Sequence, residues 1–111
     1  METLPERNKN DELLMSLINK LNKAFDHRIR LGIMSVLVVN DHADFKELKE
    51  LLDVTDGNLA SHAKALEKED YIRVEKSFIG RKPKTKYIAT EIGKLEFKKH
   101  IDALEKLISG S

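Results

Sequence analysis

At 111 residues the chain can build one hydrophobic core and is too short for two. Charged residues make up 35% and apolar ones 41%, a balance that suits a soluble helical protein, and no apolar run reaches the roughly 20 residues that span a bilayer. The absence of cysteine excludes disulfides, thiolate metal sites and cysteine nucleophiles and fits a reducing, cytoplasmic setting, while the net charge of +1 informs only through its distribution.

Residues 1–10, METLPERNKN, are polar, lack the apolar centre of a signal peptide, and are expected to be a disordered lead-in. From Asp11 the residues Leu14, Ile18, Leu21 and Phe25 recur at 4-3-4 spacing, with Leu13 and Leu17 beside them, which predicts a helix up to a break at Asp26-His27. Residues 29–39, IRLGIMSVLVV, are apolar nearly all round and should be buried. Periodicity alone leaves a valine-rich strand open here, and the length and the lack of a dividing turn favour a central helix. Asn40-Asp41-His42 reads as a loop. Asp44 then caps a short helix from Phe45 or Lys46 to Leu52, with Leu48, Leu51 and Leu52 facing inward.

The chain is organised around residues 55–72, TDGNLASHAKALEKEDYI. Thr55 can cap a helix with its hydroxyl, and Asp56 sits where the helix dipole favours an acid. Leu59, Ala63 and Leu66 share one face at i, i+4 and i+7. Gly57, Asn58, Ser61, His62 and Lys64 occupy the opposite face and the first half, while Glu67, Glu69 and Asp70 gather at the far end. A helix entering a DNA major groove needs this sorting, because base edges demand donors and acceptors and phosphates repel acids.

Tyr71 to Lys76 alternates and predicts a strand, residues 77–83 hold the turn formers Gly80 and Pro83, and Lys84 to Ala89 alternates back as its partner. This hairpin carries Arg73, Lys76, Arg81, Lys82, Lys84 and Lys86 against one acid, Glu75, so the charge asymmetry of the chain is concentrated there. Thr90 caps a final helix over residues 91–108, in which Phe97, Ile101, Leu104 and Ile108 again fall at 4-3-4 spacing, and Ser109-Gly110-Ser111 is a tail. No internal repeat is present.

The order of helices, helix-turn-helix (about 44–69), basic hairpin (71–89) and closing helix predicts a mainly α fold with a small β-hairpin wing (α+β), one unit over residues 11–108. From about His27 to Gly93 the chain resembles winged-helix transcription regulators of the MarR-like and ArsR-like branch. The pieces are Arg30, Ile33 and Leu37; Phe45 and Leu48; Thr55, Asn58, Leu59, His62, Leu66 and Glu67; and the basic segment from Gly80 to Lys84. The resemblance implies that the Thr55 helix reads the major groove and that the wing tip, residues 77–83, lies on the minor groove or the backbone. Glu69-Asp70 departs from the family, which often places a small residue or glycine before the strand. Thiolate metal sensing does not carry over, because cysteine is absent.

The expected recognition-helix contacts are Thr55, Gly57, Asn58, Ser61, His62 and Lys64, and the expected wing contacts are Lys76, Arg81, Lys82 and Lys84. Asn and Ser suit adenine edges or phosphates, Lys64 a phosphate, and Arg81 a narrow minor groove. The plain alternative is that these polar residues form a solvated helix face and ordinary strand solubilisers. His27, His42, His62 and His100 show no paired ligand spacing, so no metal is expected, and no cofactor loop or nucleophile elbow points to an enzyme. The two 4-3-4 stripes predict a homodimer through Leu14, Ile18, Leu21, Phe25, Phe97, Ile101, Leu104 and Ile108. Its recognition helices would meet a pseudo-palindromic double-stranded site one turn, about 34 Å, apart. The expected function is a dimeric repressor; a winged helix used for protein–protein contact is the competing one. Any small-molecule effector is left open.

Overall fold

The computed structural model describes residues 9–110. In chain order they form α1 (Lys9–Asn19), a 3-10 turn (Lys23–Phe25), α2 (Arg28–Leu37), β1 (Ala43–Asp44), α3 (Phe45–Leu52), α4 (Asp56–Lys68), β2 (Ile72–Ile79), β3 (Lys82–Ala89) and α5 (Glu91–Ser109). The strands make one antiparallel sheet in the order β1-β3-β2. The fold is mainly α with a small sheet, as the sequence predicts.

The central apolar run is a helix, not a strand. His27 starts it, accepting a hydrogen bond from the Ile29 amide on Nδ1 at 3.1 Å, and Ile29, Ile33, Met34 and Leu37 are buried along it. Around this helix close Leu48 of α3, Leu59 and Leu66 of α4, and Ile72 of β2, all at most 1% exposed. Burying side chains of this size stabilises by about 1.5–3 kcal/mol each, so this cluster is the main source of cohesion.

Several local expectations are corrected. The described chain is already helical at Lys9 and Asn10, and residues 1–8 of the expected lead-in lie outside the described residues. The first helix stops at Asn19, short of Phe25. Asn22 turns extended (φ −100°, ψ 120°) and its side chain accepts from the Ala24 amide at 2.9 Å, starting the 3-10 turn that swings Phe25 into the core. Leu51, expected inside, is 67% exposed, because it lies one position off the face that Leu48 and Leu52 bury. The expected seven-residue loop shrinks to the two-residue turn Gly80-Arg81, since β2 and β3 stay paired out to Ile79 and Lys82. β1, two residues long, is too short to show as a pattern.

Asp53 (φ 51°) ends α3 and Asp70 (φ 64°) ends the turn after α4, both left-handed. Aspartate is among the few side chains that enter this region routinely, so the turn before β2 is made without a glycine. Gly93 is needed for a different reason. A Cβ there would lie 2.0 Å from the Tyr71 carbonyl oxygen, so only glycine lets α5 close against the start of β2.

Candidate nucleic-acid interface

α4 is set by its cap and its apolar back. Thr55 Oγ1 accepts from the Asn58 amide at 3.2 Å, and Leu59, Ala63 and Leu66 anchor the helix to the core. With that face buried, helical geometry turns Gly57, Ser61 and Lys64 outward, and all three are exposed, as are Thr55 and Asn58. Asp56 reaches back to α3, where its carboxylate pairs with Lys49 Nζ at 2.7 Å. It therefore ties the helix-turn-helix together as well as capping the dipole.

His62 is placed differently from the other polar residues of α4. It is half-buried on the flank facing α2, where Arg30 Nε donates to its Nδ1 at 3.0 Å and the His27 ring stacks on it with centroids 3.9 Å apart. Burial, with the His27 and Arg30 charges adding to it, holds the His62 imidazole below its ordinary range. The neutral ring thus carries its proton on Nε2, the only nitrogen left to offer outward.

On the other flank, Ala60, Lys64 and Glu67 of α4 border a groove whose far wall is Val74, Lys76 and Tyr87 of the hairpin. Directly paired residues share a face of the sheet. Ile72↔Ala89 and Val74↔Tyr87 point toward the core, so Lys76↔Thr85 and Phe78↔Pro83 continue that row toward the tip. Glu75↔Lys86, Ser77↔Lys84 and Ile79↔Lys82 lie on the reverse face. The expected wing cations are therefore split. Lys76 shares the α4 side, Arg81 sits in the turn, and Lys82 and Lys84 lie behind, with Lys84 3.9 Å from Asp44. Arg81 and Lys82 are exposed and make no ion pair among the described residues.

A winged helix DNA-binding domain profile matches residues 29–108. The chain belongs to the winged-helix DNA-binding domain family. A transcriptional regulator homologue from Pyrococcus horikoshii OT3 superposes with a TM-score of 0.78 at 31% identity, over 89% of this chain and 96% of that one. An uncharacterized protein of Methanocaldococcus jannaschii is 37% identical over 79 residues, 71% of this chain and 86% of its own. The fold is also shared with the MarR-family regulator Sco3205 of Streptomyces coelicolor, solved in complex with DNA: TM-score 0.61, 18% identity, covering 89% of this chain and 71% of that one. In winged-helix terms α3 and α4 correspond to the helix-turn-helix, with α4 as its second helix, and β2-β3 corresponds to the wing.

The helices flanking the winged helix divide their stripes. Phe25 and Phe97, expected at a dimer seam, are 2% and 6% exposed and belong to this chain's own core, where their rings meet edge to face at 5.3 Å. Leu21 and Leu104 are half-buried. Leu14 (43%), Ile18 (48%), Ile101 (37%) and Ile108 (87%) are exposed, with Leu13 and Met15 beside them on α1.

Two further histidine placements were not visible in the sequence. His100 is 4% exposed, and its Nδ1 accepts from the Asn22 amide at 2.9 Å, while the Asn22 side-chain amide donates to the Tyr71 hydroxyl at 2.9 Å. His27 and His62, 35 positions apart, become neighbours only once α2 and α4 pack. Among the described residues no group of three or more His, Cys, Asp or Glu is placed to hold a metal ion. No described helix is long and apolar enough to cross a membrane.

Proposed function

We propose that the protein is a homodimeric transcriptional regulator that binds a pseudo-palindromic double-stranded DNA site and represses by occupying a promoter. One observation carries this reading: Lys64 of α4 and Lys76 of the wing border one groove, with Gly57, Asn58 and Ser61 exposed on α4 and Arg81 exposed in the wing turn, and Lys49 already neutralises Asp56, the acid nearest the helix start. Base choice is assigned to Asn58 and Ser61, with Thr55, Gly57 and Lys64 meeting the backbone. Arg81, Lys76, Lys82 and Lys84 supply counterion release. His62 contributes only as a donor from Nε2, held in that orientation by Arg30.

The dimer is assigned to the exposed remainder of the two stripes, Leu14, Ile18, Ile101 and Ile108, with Leu21 and Leu104 at its margin. Phe25 and Phe97 drop out of it, being internal. The shape supports this: the radius of gyration is 17.8 Å, well above the about 13 Å of a compact chain of this length, and the long axis of 66 Å is more than twice the next, 30 Å. Single apolar patches on projecting helices are commonly covered by a second copy.

The test is a fluorescence-anisotropy salt titration on random-sequence duplex DNA, comparing wild type with the Arg81→Glu/Lys82→Glu double variant, the mass of each checked in solution. The expected result is salt-steep binding by a dimer that the variant loses. A folded protein that ignores duplex DNA at low salt would refute the reading and turn attention to protein partners.

A further inference from the structure

The wing tip carries two large apolar side chains in the open. Phe78 is 74% exposed and Ile79 62% exposed, although both sit in fully paired strand. Elsewhere the same row of the sheet is covered: Ile72 is 1%, Ala89 4% and Tyr87 6% exposed. Phe78, opposite Pro83, extends this core-facing row past the body of the protein, on the side that borders the groove with α4.

We infer that Phe78, backed by Pro83, is an apolar wedge that enters the DNA minor groove beside Arg81 and partly unstacks a base step. The inference rests on the DNA-binding reading above and adds to it a deformation of the DNA. Its chemistry follows from what surrounds the ring. Residues 76–84 read KSFIGRKPK, with four cations and no acid. A partner that suits both the cations and the ring has a polyanionic surface over an apolar interior, which describes phosphates flanking stacked bases. A protein partner fits poorly, because two side chains fall far short of the about 800 Å² per side of a stable interface. A second wing fits worse, because it would bring two sets of unpaired cations together.

The mounting is also suited to insertion. Gly80 (φ 63°) at the first position of a two-residue turn is the type II′ arrangement, whose twist matches the strands it joins. Strands paired to the last residue hold the Phe78 backbone in place before contact, so little order remains to be imposed on binding.

The experiment uses the full chain and a short random-sequence duplex carrying a donor and an acceptor dye at its two ends, with anisotropy recorded on the same samples across a salt series. Wild type, Phe78→Ala and Phe78→Leu are compared, with far-UV circular dichroism confirming that each is folded. Wild type is expected to raise energy transfer as the duplex kinks. Phe78→Ala should bind with an unchanged salt slope, since every cation remains, but at least about fivefold more weakly, and should leave the transfer at the free-duplex level. Phe78→Leu, which keeps an apolar wedge, should retain most of the kink. A wild type that binds and leaves the duplex straight, or a Phe78→Ala that kinks it as wild type does, overturns the inference while the DNA-binding reading stands. A wild type that does not bind the duplex overturns both.

Discussion

The two ends of the β2-β3 hairpin are built from the same alternating strands and do opposite things. At the Ile72–Ala89 end the polar and apolar groups find partners within the chain. Phe25 lies 5.3 Å from each of the Tyr71, Phe97 and His100 rings, Thr90 Oγ1 donates to the Asp70 carbonyl at 2.7 Å and accepts from the Gly93 amide at 2.9 Å, and the Thr90 amide donates to the Tyr71 carbonyl at 3.0 Å. At the Ile79–Lys82 end the chain offers cations, a phenyl ring and a tight turn, all uncovered. The difference teaches that stability is lodged at the root of the wing, and on the proposed reading DNA binding is lodged at its tip. Substitutions at one end should therefore leave the quantity governed by the other end unchanged.

The root should give the largest effects. Phe97→Ala removes a ring that packs edge to face on Phe25 and should cost about 3–5 kcal/mol, read as a fall in the urea midpoint. Gly93→Ala forces a methyl group onto the Tyr71 carbonyl, where backbone rather than a flexible side chain must move, and should cost about 3 kcal/mol. At the tip, Arg81→Glu with Lys82→Glu should move the same midpoint by no more than about 0.5 kcal/mol, both side chains being exposed. It should lower the slope of log affinity against log salt by roughly 2. A wing variant that unfolds as readily as Phe97→Ala would break the division between root and tip.

Smaller effects should separate the parts of α4. Lys64→Ala should reduce the salt slope by about 1 with little change in stability. Thr55→Ala, which leaves the Asn58 amide without its cap, should cost about 1 kcal/mol in thermal or urea unfolding. Thr55 thus belongs partly to each class, and a Thr55→Ser variant should restore the stability.

What the sequence made legible follows the same division. The caps Asp44, Thr55 and Thr90 and the buried face Leu59, Ala63 and Leu66 were readable, because capping and helical periodicity are local and each residue advertises its own role. The fate of Phe25 and Phe97 was not. A 4-3-4 stripe looks the same whether it meets its own chain or a second copy, and only the 3-10 turn at Lys23–Phe25 decides that Phe25 turns inward. Arg30, His27 and His100 escaped for a related reason: their partners lie 32, 35 and 78 positions away, and no local pattern records such distances. His62 shows the consequence, since it shares α4 with Ser61 and Lys64 and yet is drawn to the flank by α2. The sequence understates the extent of the wing because Ser77, Gly80 and Pro83 are turn formers by type. Pro83 is tolerated in β3 because the strand's outer edge is unpaired there, β1 reaching only Tyr87 and Lys86.

The smallest expected effect is a dependence on pH, and it joins the root to α4. His100 at the root and His62 on the α2 flank of α4 are both held below the ordinary imidazole range, in each case first by burial. For His100 the Asp26 carboxylate opposes that shift without reversing it, and for His62 the charges of His27 and Arg30 reinforce it. Each ring also accepts a hydrogen bond on Nδ1, from the Asn22 amide and from Arg30 Nε, and a proton on that nitrogen would remove the acceptor. The unfolded chain, with imidazoles near pKa 6.5, takes up these protons before the folded one does. Stability is then complete above about pH 6.5 and is lost as the pH falls from there through the depressed folded values. Thermal unfolding followed by circular dichroism between pH 7.5 and pH 5 should show the melting temperature dropping on the acid side. His62→Asn should reduce that drop while leaving the part due to His100. A melting temperature that rises on acidification would mean that the imidazoles gain, rather than lose, stabilisation when charged. The acceptor roles assigned to both rings would then have to be given up.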